Sequence, residues 1–201
     1  MKNNKKSVAI IGEGETEWFY IDSLRIAMRY PFKVAPSFPQ HSDMKHLNKT
    51  IEQCIQEGYD YIVCLVDMDR PLENRVEMER LKKMKKLYSH TRFQNRIMIL
   101  ATNPCTEFWF LMHFIKNIPH KIYKSQKEVI DELKTYLPGY EKTKKYYKAN
   151  PLFDNLKEKG NLKRAVVNSE KLYESIEWDM DYKKAYSEIH KLIKLLAALN
   201  K

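Results

Sequence analysis

Three stretches of the chain are apolar at consecutive positions: VAII at the centre of residues 7–12, YIVCLV at 61–66 and RIMILATN at 96–103. A half-exposed strand alternates instead, so these runs predict short strands covered on both faces. Between them the spacing turns helical. Thr16 is placed to cap a helix that runs to about Tyr30, with Glu17 in its first turn and Pro31 as its stop. FKVAPSF at 32–38 alternates, and Pro36 predicts an edge position for that strand. Asp43 caps a second predicted helix whose apolar side is Met44, Leu47, Ile51, Cys54 and Ile55, closed by Gly58. A charged helix is predicted from about Leu72 to Tyr88. Asn103 as N-cap and Pro104 as first helical residue predict another over PCTEFWFLMHFIKN.

Up to residue 116 the order is therefore β-α-β-α-β-α-β-α. Such alternation implies an α/β fold, with a parallel sheet of about four strands and helices on both faces. Beyond Pro119 the pattern is helical throughout. Leu162, Ala165, Val166, Leu172, Tyr173 and Ile176 share one face; Tyr182, Ala185, Tyr186, Ile189, Ile193 and Leu196 share another. The expected organisation is an α/β domain over 1–117 and a basic, all-helical subdomain over 118–201 packed on it.

Composition narrows the class. Apolar residues make up 43% and charged residues 31%, which excludes a disordered chain. The net charge of +10 is unevenly spread: residues 1–110 carry 17 Lys+Arg against 14 Asp+Glu, and residues 111–201 carry 19 against 12. A basic second half points to an anionic partner, with nucleic acid the first candidate, or to a solvated lysine-rich face. Cys54, Cys64 and Cys105 have no paired spacing and read as reduced thiols. MKNNKKS lacks the order of a signal peptide, and no apolar run reaches the roughly 18 residues of a membrane span, so a cytoplasmic protein without membrane contact is expected.

The chemistry sits where the apolar runs end. The first leads into Gly12-Glu13-Gly14, and the YIVCLV run ends on Asp67-Met68-Asp69. In an open parallel sheet ligands bind beyond the carboxyl ends of the strands, so Glu13, Asp67 and Asp69 are expected to converge there. Carboxylates gathered at one rim repel one another, and a hard divalent cation, Mg²⁺ or Mn²⁺, relieves that repulsion. Gly12 and Gly14 would permit a tight turn and a close approach to phosphate. Glu15 and Glu17 are read as ordinary acidic residues of a first helical turn.

Glu-Gly after a first strand and Asp-x-Asp after a later one resemble the Toprim fold of topoisomerases, primases and related nucleases. The resemblance implies a Mg²⁺ site acting on phosphodiesters, with Glu13 as ligand or general acid/base and Asp67 and Asp69 as the metal-binding pair. Many Toprim proteins carry a lysine soon after the glycine; here Glu15-Thr16-Glu17 follows instead, and a basic phosphate contact is missing. ATNPCTEFWFLMHF at 101–114, with GEGETEWFY, LVDMD, YEKTKKYYK and LKRAVVNSEKLYE, is similar to the RloB-like family, whose members are encoded near restriction-modification and abortive-infection loci. By that resemblance Glu107 is a further metal ligand; by position alone it is a helix-dipole glutamate. Trp109, Phe110 and His113 are read as core. In YEKTKKYYKAN, lysines alternate with tyrosines, so Lys142, Lys144, Lys145 and Lys148 are candidate phosphate contacts or members of an exposed basic helix.

The expected function is metal-dependent phosphodiester hydrolysis on nucleic acid in bacterial anti-phage defence. The alternative is a catalytically silent module that binds nucleic acid or a partner. A phosphatase of the haloacid dehalogenase type would place Asp-x-Asp on its first strand, and a receiver domain would need an acidic pair there. No G-x-x-x-x-G-K-[ST] occurs, so any ATPase of the system, or any restriction-system protein it works with, is a separate chain.

Overall fold

The computed structural model describes residues 6–30, 33–37, 43–93, 96–117, 121–176 and 184–200; along 33–37 only the backbone is described. Four parallel strands form the sheet: β1 (Ser7–Gly12), β2 (Lys33–Ser37), β3 (Tyr61–Asp67) and β4 (Ile97–Asn103). A two-residue strand, β5 (Tyr186–Ser187), runs antiparallel beside β4, and the spatial order is β2-β1-β3-β4-β5. The chain leaves β1 outward to β2, then crosses back to β3 on the other side. That reversal opens a crevice at the carboxyl ends of β1 and β3, where Gly12 pairs in register with Leu65.

Consecutive strand residues point to opposite faces, which is why the runs are apolar throughout. Val8, Ile10, Val63, Leu65 and Leu100 face one layer. Ala9, Ile11, Ile62, Cys64, Val66, Ile99 and Ala101 face the other, under helices α2 (Met44–Gln56) and α4 (Arg75–Tyr88). The first layer holds α1 (Glu15–Met28), the short α5 (Glu107–Leu111), α6 (Gln126–Tyr136), α7 (Lys144–Ala149), α8 (Leu152–Lys159), α9 (Leu162–Glu174) and α10 (Ile189–Leu199). Leu133, Tyr140, Phe153, Leu156, Leu172 and Leu192 belong to the same apolar cluster as Val8 and Trp109, so the C-terminal helices share the core of the sheet. Trp109 is fully buried, and its indole N–H donates to the Tyr20 hydroxyl at 2.9 Å, which locks α5 against α1. The three cysteines are free and buried. Among the described residues no helix is long and apolar enough to cross a membrane.

Four local expectations are corrected. The C-terminal half is not all helical, because Tyr186 and Ser187 pair with Asn103 and Thr102. That edge is then stitched by Glu188, whose backbone N–H donates to the Ala101 carbonyl while its carboxylate accepts from the Ala101 N–H, both at 2.9 Å. Tyr182, expected on the same helix, lies outside the described residues. The N-cap of α1 is Gly14, not Thr16: the Glu17 carboxylate reaches back to the Gly14 N–H at 2.7 Å and does the capping itself. The charged helix is split into α3 (Asp69–Glu73) and α4, because Asn74 accepts from the N–H groups of Val76 and Glu77 and starts a new helix. Finally, Asn103 is the last residue of β4, paired there with Tyr186, and α5 starts only at Glu107 after Thr106.

Candidate functional site

The crevice holds a cavity of about 260 Å³ lined by Glu13, Gly14, Glu15, Thr16, Glu17, Asp67, Asp69, Arg70, Gln126, Lys142 and Tyr147. Glu13 follows β1 directly, and its carboxylate accepts from the Asp67 N–H at 3.0 Å, so the ends of the two central strands are tied by this side chain. Asp67 is the last residue of β3 and is 8% exposed; its Oδ1 accepts from the Thr106 hydroxyl at 2.9 Å. Asp69, two residues later at the start of α3, accepts from the Arg70 N–H and, at 2.6 Å, from the Gln126 side-chain amide. The three carboxylates expected at one rim thus line one cavity.

Glu17 was read from the sequence as a helix-dipole residue, and the structure adds it to this group. It is 3% exposed and lines the same cavity. A Cβ at position 12 would lie 2.6 Å from Glu17 Cβ, and one at position 14 would lie 3.0 Å from Glu17 Oε2. Gly12 and Gly14 therefore make room for Glu17. The glycine-flanked acid is visible in GEGETE; that the third acid, Glu17, turns back into the sheet end is a tertiary effect with no local signal.

Glu107 is fully buried behind the cavity wall and does not line it. Its Oε1 meets Lys142 Nζ at 3.1 Å and accepts from the Tyr140 hydroxyl, also at 3.1 Å. Tyr140 in turn lies 3.3 Å from the Tyr147 hydroxyl, which is 2.9 Å from the Thr16 hydroxyl. Lys142 thus leaves the predicted basic surface: it reaches into the cavity and supplies the cation absent after Gly14. Lys144 stands at the rim, 3.7 Å from Glu15. Lys145 and Lys148 are exposed on α7.

Burial dominates the electrostatics. Desolvation raises the Glu13 carboxyl to about 8, against the Asp67 N–H that lowers it, and Glu17 adds like-charge repulsion. Glu17 is raised for the same reason, with the Thr106 hydroxyl opposing and Glu107 reinforcing the shift. Asp67 is raised well above its ordinary range, by burial and then by Glu17 and Glu107, with Lys142 acting against. Burial works against the Lys142 ammonium, yet Glu107 and Asp67 outweigh it and hold it charged. Tyr147 is pushed up to about 12 by burial, which leaves its phenol protonated and unsuited to nucleophilic attack at neutral pH.

The donors around the cavity are carboxylate, hydroxyl and amide oxygens, the set that Mg²⁺ and Mn²⁺ take. Among the described residues no three His, Cys, Asp or Glu side chains form a ready-made metal cage. Mg²⁺ keeps several waters and needs only one or two carboxylates, so the donor set fits it without such a cage.

An open, doubly covered α/β sheet with an acidic crevice at its switch point is the class that this geometry defines. The family model for RloB-like protein matches residues 8–196, and the chain belongs to the RloB-like family. No curated protein and no solved structure matches it, so the Toprim resemblance rests on the motifs and on their places at the strand ends.

Proposed function

We propose that this RloB-like protein hydrolyses phosphodiester bonds in nucleic acid with Mg²⁺ or Mn²⁺, as a nuclease of bacterial anti-phage defence. The observation that carries the reading is the convergence of Glu13, Asp67 and Asp69, with Lys142, in one cavity at the β1–β3 crevice. Asp67 and Asp69 would hold the cation, with Glu17 beside them. A bound divalent cation supplies a water of lowered pKa and a polarised phosphoryl oxygen. Glu13, tied to the Asp67 N–H at the end of β3, would stand beside Asp67 and Asp69 as a further ligand or as the group that accepts a proton. Lys142 is placed to neutralise a phosphate oxygen, and Glu107 holds its ammonium in position at 3.1 Å. Lys144, Lys145 and Lys148 continue the positive charge outward from the cavity and would track a nucleic-acid backbone.

A second reading, a silent binding module, draws on one observation. Asp69 is already bonded to Gln126, and Lys142 is already paired with Glu107. Cleavage of supercoiled plasmid, linear duplex, single-stranded DNA and RNA with Mg²⁺ or Mn²⁺ tests both. Loss of cleavage in Asp67→Asn and Glu13→Gln, with folding retained, supports the nuclease. Nucleic-acid binding without any cleavage, unchanged in both variants, supports the module.

A further inference from the structure

Gln126 is the first residue of α6, behind the N-cap Ser125, and its side chain crosses the cavity. Its amide is used at both ends. Nε2 donates to Asp69 Oδ2 at 2.6 Å, and Oε1 accepts from Lys142 Nζ at 3.3 Å. The other oxygen of Asp69 accepts from the Arg70 N–H at 2.7 Å, so both oxygens of this carboxylate are engaged. A side-chain amide presents a positive edge and a negative oxygen about 2 Å apart. Against Asp69 it stands where a cation would stand; against Lys142 it stands where a phosphate oxygen would stand.

We propose that Gln126 is an internal plug that holds the site in a resting state and must swing out when a divalent cation and an anionic substrate oxygen take its two positions. The proposal rests on the metal reading above and adds regulation of that same site. The plug and its basic partner both sit at element ends: Gln126 opens α6, and Lys142 lies one residue before Thr143, the N-cap of α7. Side chains so placed can rotate without breaking a helix. Gln126 is half-buried, whereas Glu13, Glu17 and Asp67 beneath it are buried, so release of Gln126 exposes Asp69 and then the deeper carboxylates. The competing role is a strut: an amide that holds Asp69 in its productive rotamer. The two roles predict opposite signs, because removing a plug tightens cation binding and removing a strut weakens it.

The test is Mn²⁺ binding to the full-length protein, followed by the electron paramagnetic resonance signal of the free ion, and so independent of any activity. Wild type is compared with Gln126→Met, which keeps side-chain length but loses both hydrogen bonds, and with Gln126→Ala. Thermal melts check that each is folded, and Asp69→Asn serves as the variant that should bind more weakly. The plug predicts about tenfold tighter Mn²⁺ binding in both Gln126 variants, the scale of one hydrogen bond to a charged group. Mn²⁺ bound by those variants and not by wild type would be the same result in stronger form. Unchanged or weaker binding in both overturns the plug while the metal site stands. Absence of Mn²⁺ binding in every variant and in wild type overturns the plug together with the metal reading.

Discussion

Replacing Lys142 by Met isolates what the cavity cation contributes. Glu107 has no exposed side-chain surface, and its carboxylate is held by the Lys142 ammonium at 3.1 Å and the Tyr140 hydroxyl. Lys142→Met leaves that carboxylate buried with one hydroxyl donor. Breaking a fully buried pair by removing one partner costs about 3–5 kcal/mol, and an exposed pair about 0–1 kcal/mol. The Lys142 side chain is 36% exposed, which sets the expectation between these limits, at about 2 kcal/mol. For a chain of this size each kcal/mol moves the midpoint by about 2–4 °C, so calorimetry at pH 7.5 with a chelator should show a fall of roughly 4–8 °C. The double variant Lys142→Met/Glu107→Gln should melt above Lys142→Met, because the stranded charge has gone. A single variant within 1 °C of wild type, or a double variant no more stable than the single, would refute the reasoning.

Three further outcomes follow from the same electrostatics. Glu13 has a folded pKa raised from 4.5 to about 8, so its contribution is complete below pH 4.5 and is lost as pH rises through 8; urea midpoints of the chelated protein at pH 5.5 and 8.5 should therefore fall less in Glu13→Gln than in wild type, and an equal fall in both contradicts the assignment. Glu17→Gln keeps an oxygen for the Gly14 N–H while removing a carboxyl whose pKa burial raises, so the stability of the chelated protein should fall less from acid to alkaline pH in the variant than in wild type; an equal fall in both would be the contrary result. Glu188 is buried, but Lys85 and Lys191 and the Ala101 N–H overcome that burial and lower its pKa, so its stabilisation is present above pH 4.5 and lost in acid. Glu188→Ala should cost about 2 kcal/mol at pH 7 and far less at pH 3, read from denaturant midpoints.

The sheet was legible because its strands are covered on both faces and so carry the densest apolar runs of the chain. The rim was legible for a related reason: acids have no place inside such a run, so Glu13 and Asp67 must mark where the strands emerge. Glu17 was not, because an acid in a first helical turn is ordinary, and only the close pass of Gly12 beside its Cβ shows that it turns inward. Lys142 was picked out for its neighbours, Lys144 to Lys148, while its own side chain goes to Glu107, 35 positions away. Gln126 carried no signal at all, since one polar residue after a serine N-cap looks like any helix start. Tyr186 fits a helical spacing with Ile189 and Ile193, but its pairing with Asn103 at the edge of β4 outweighed that local pattern.

The parts of the cavity are not made at the same time. A chain leaves the ribosome from its N-terminus, and Glu13, Glu17, Asp67 and Asp69 emerge well before Gln126, Lys142 and Tyr147. The acidic wall is therefore synthesised before the groups that balance it. It gains its amide cross-piece and its ammonium only when the later helices have docked, and β4 receives its outer neighbour last, through Tyr186, Ser187 and Glu188. A nascent or prematurely ended chain would carry the acids without the groups that arrange them. Because the later helices share the core of the sheet, the arrangement of this crevice depends on the second half of the chain as much as on the strands that carry the acids.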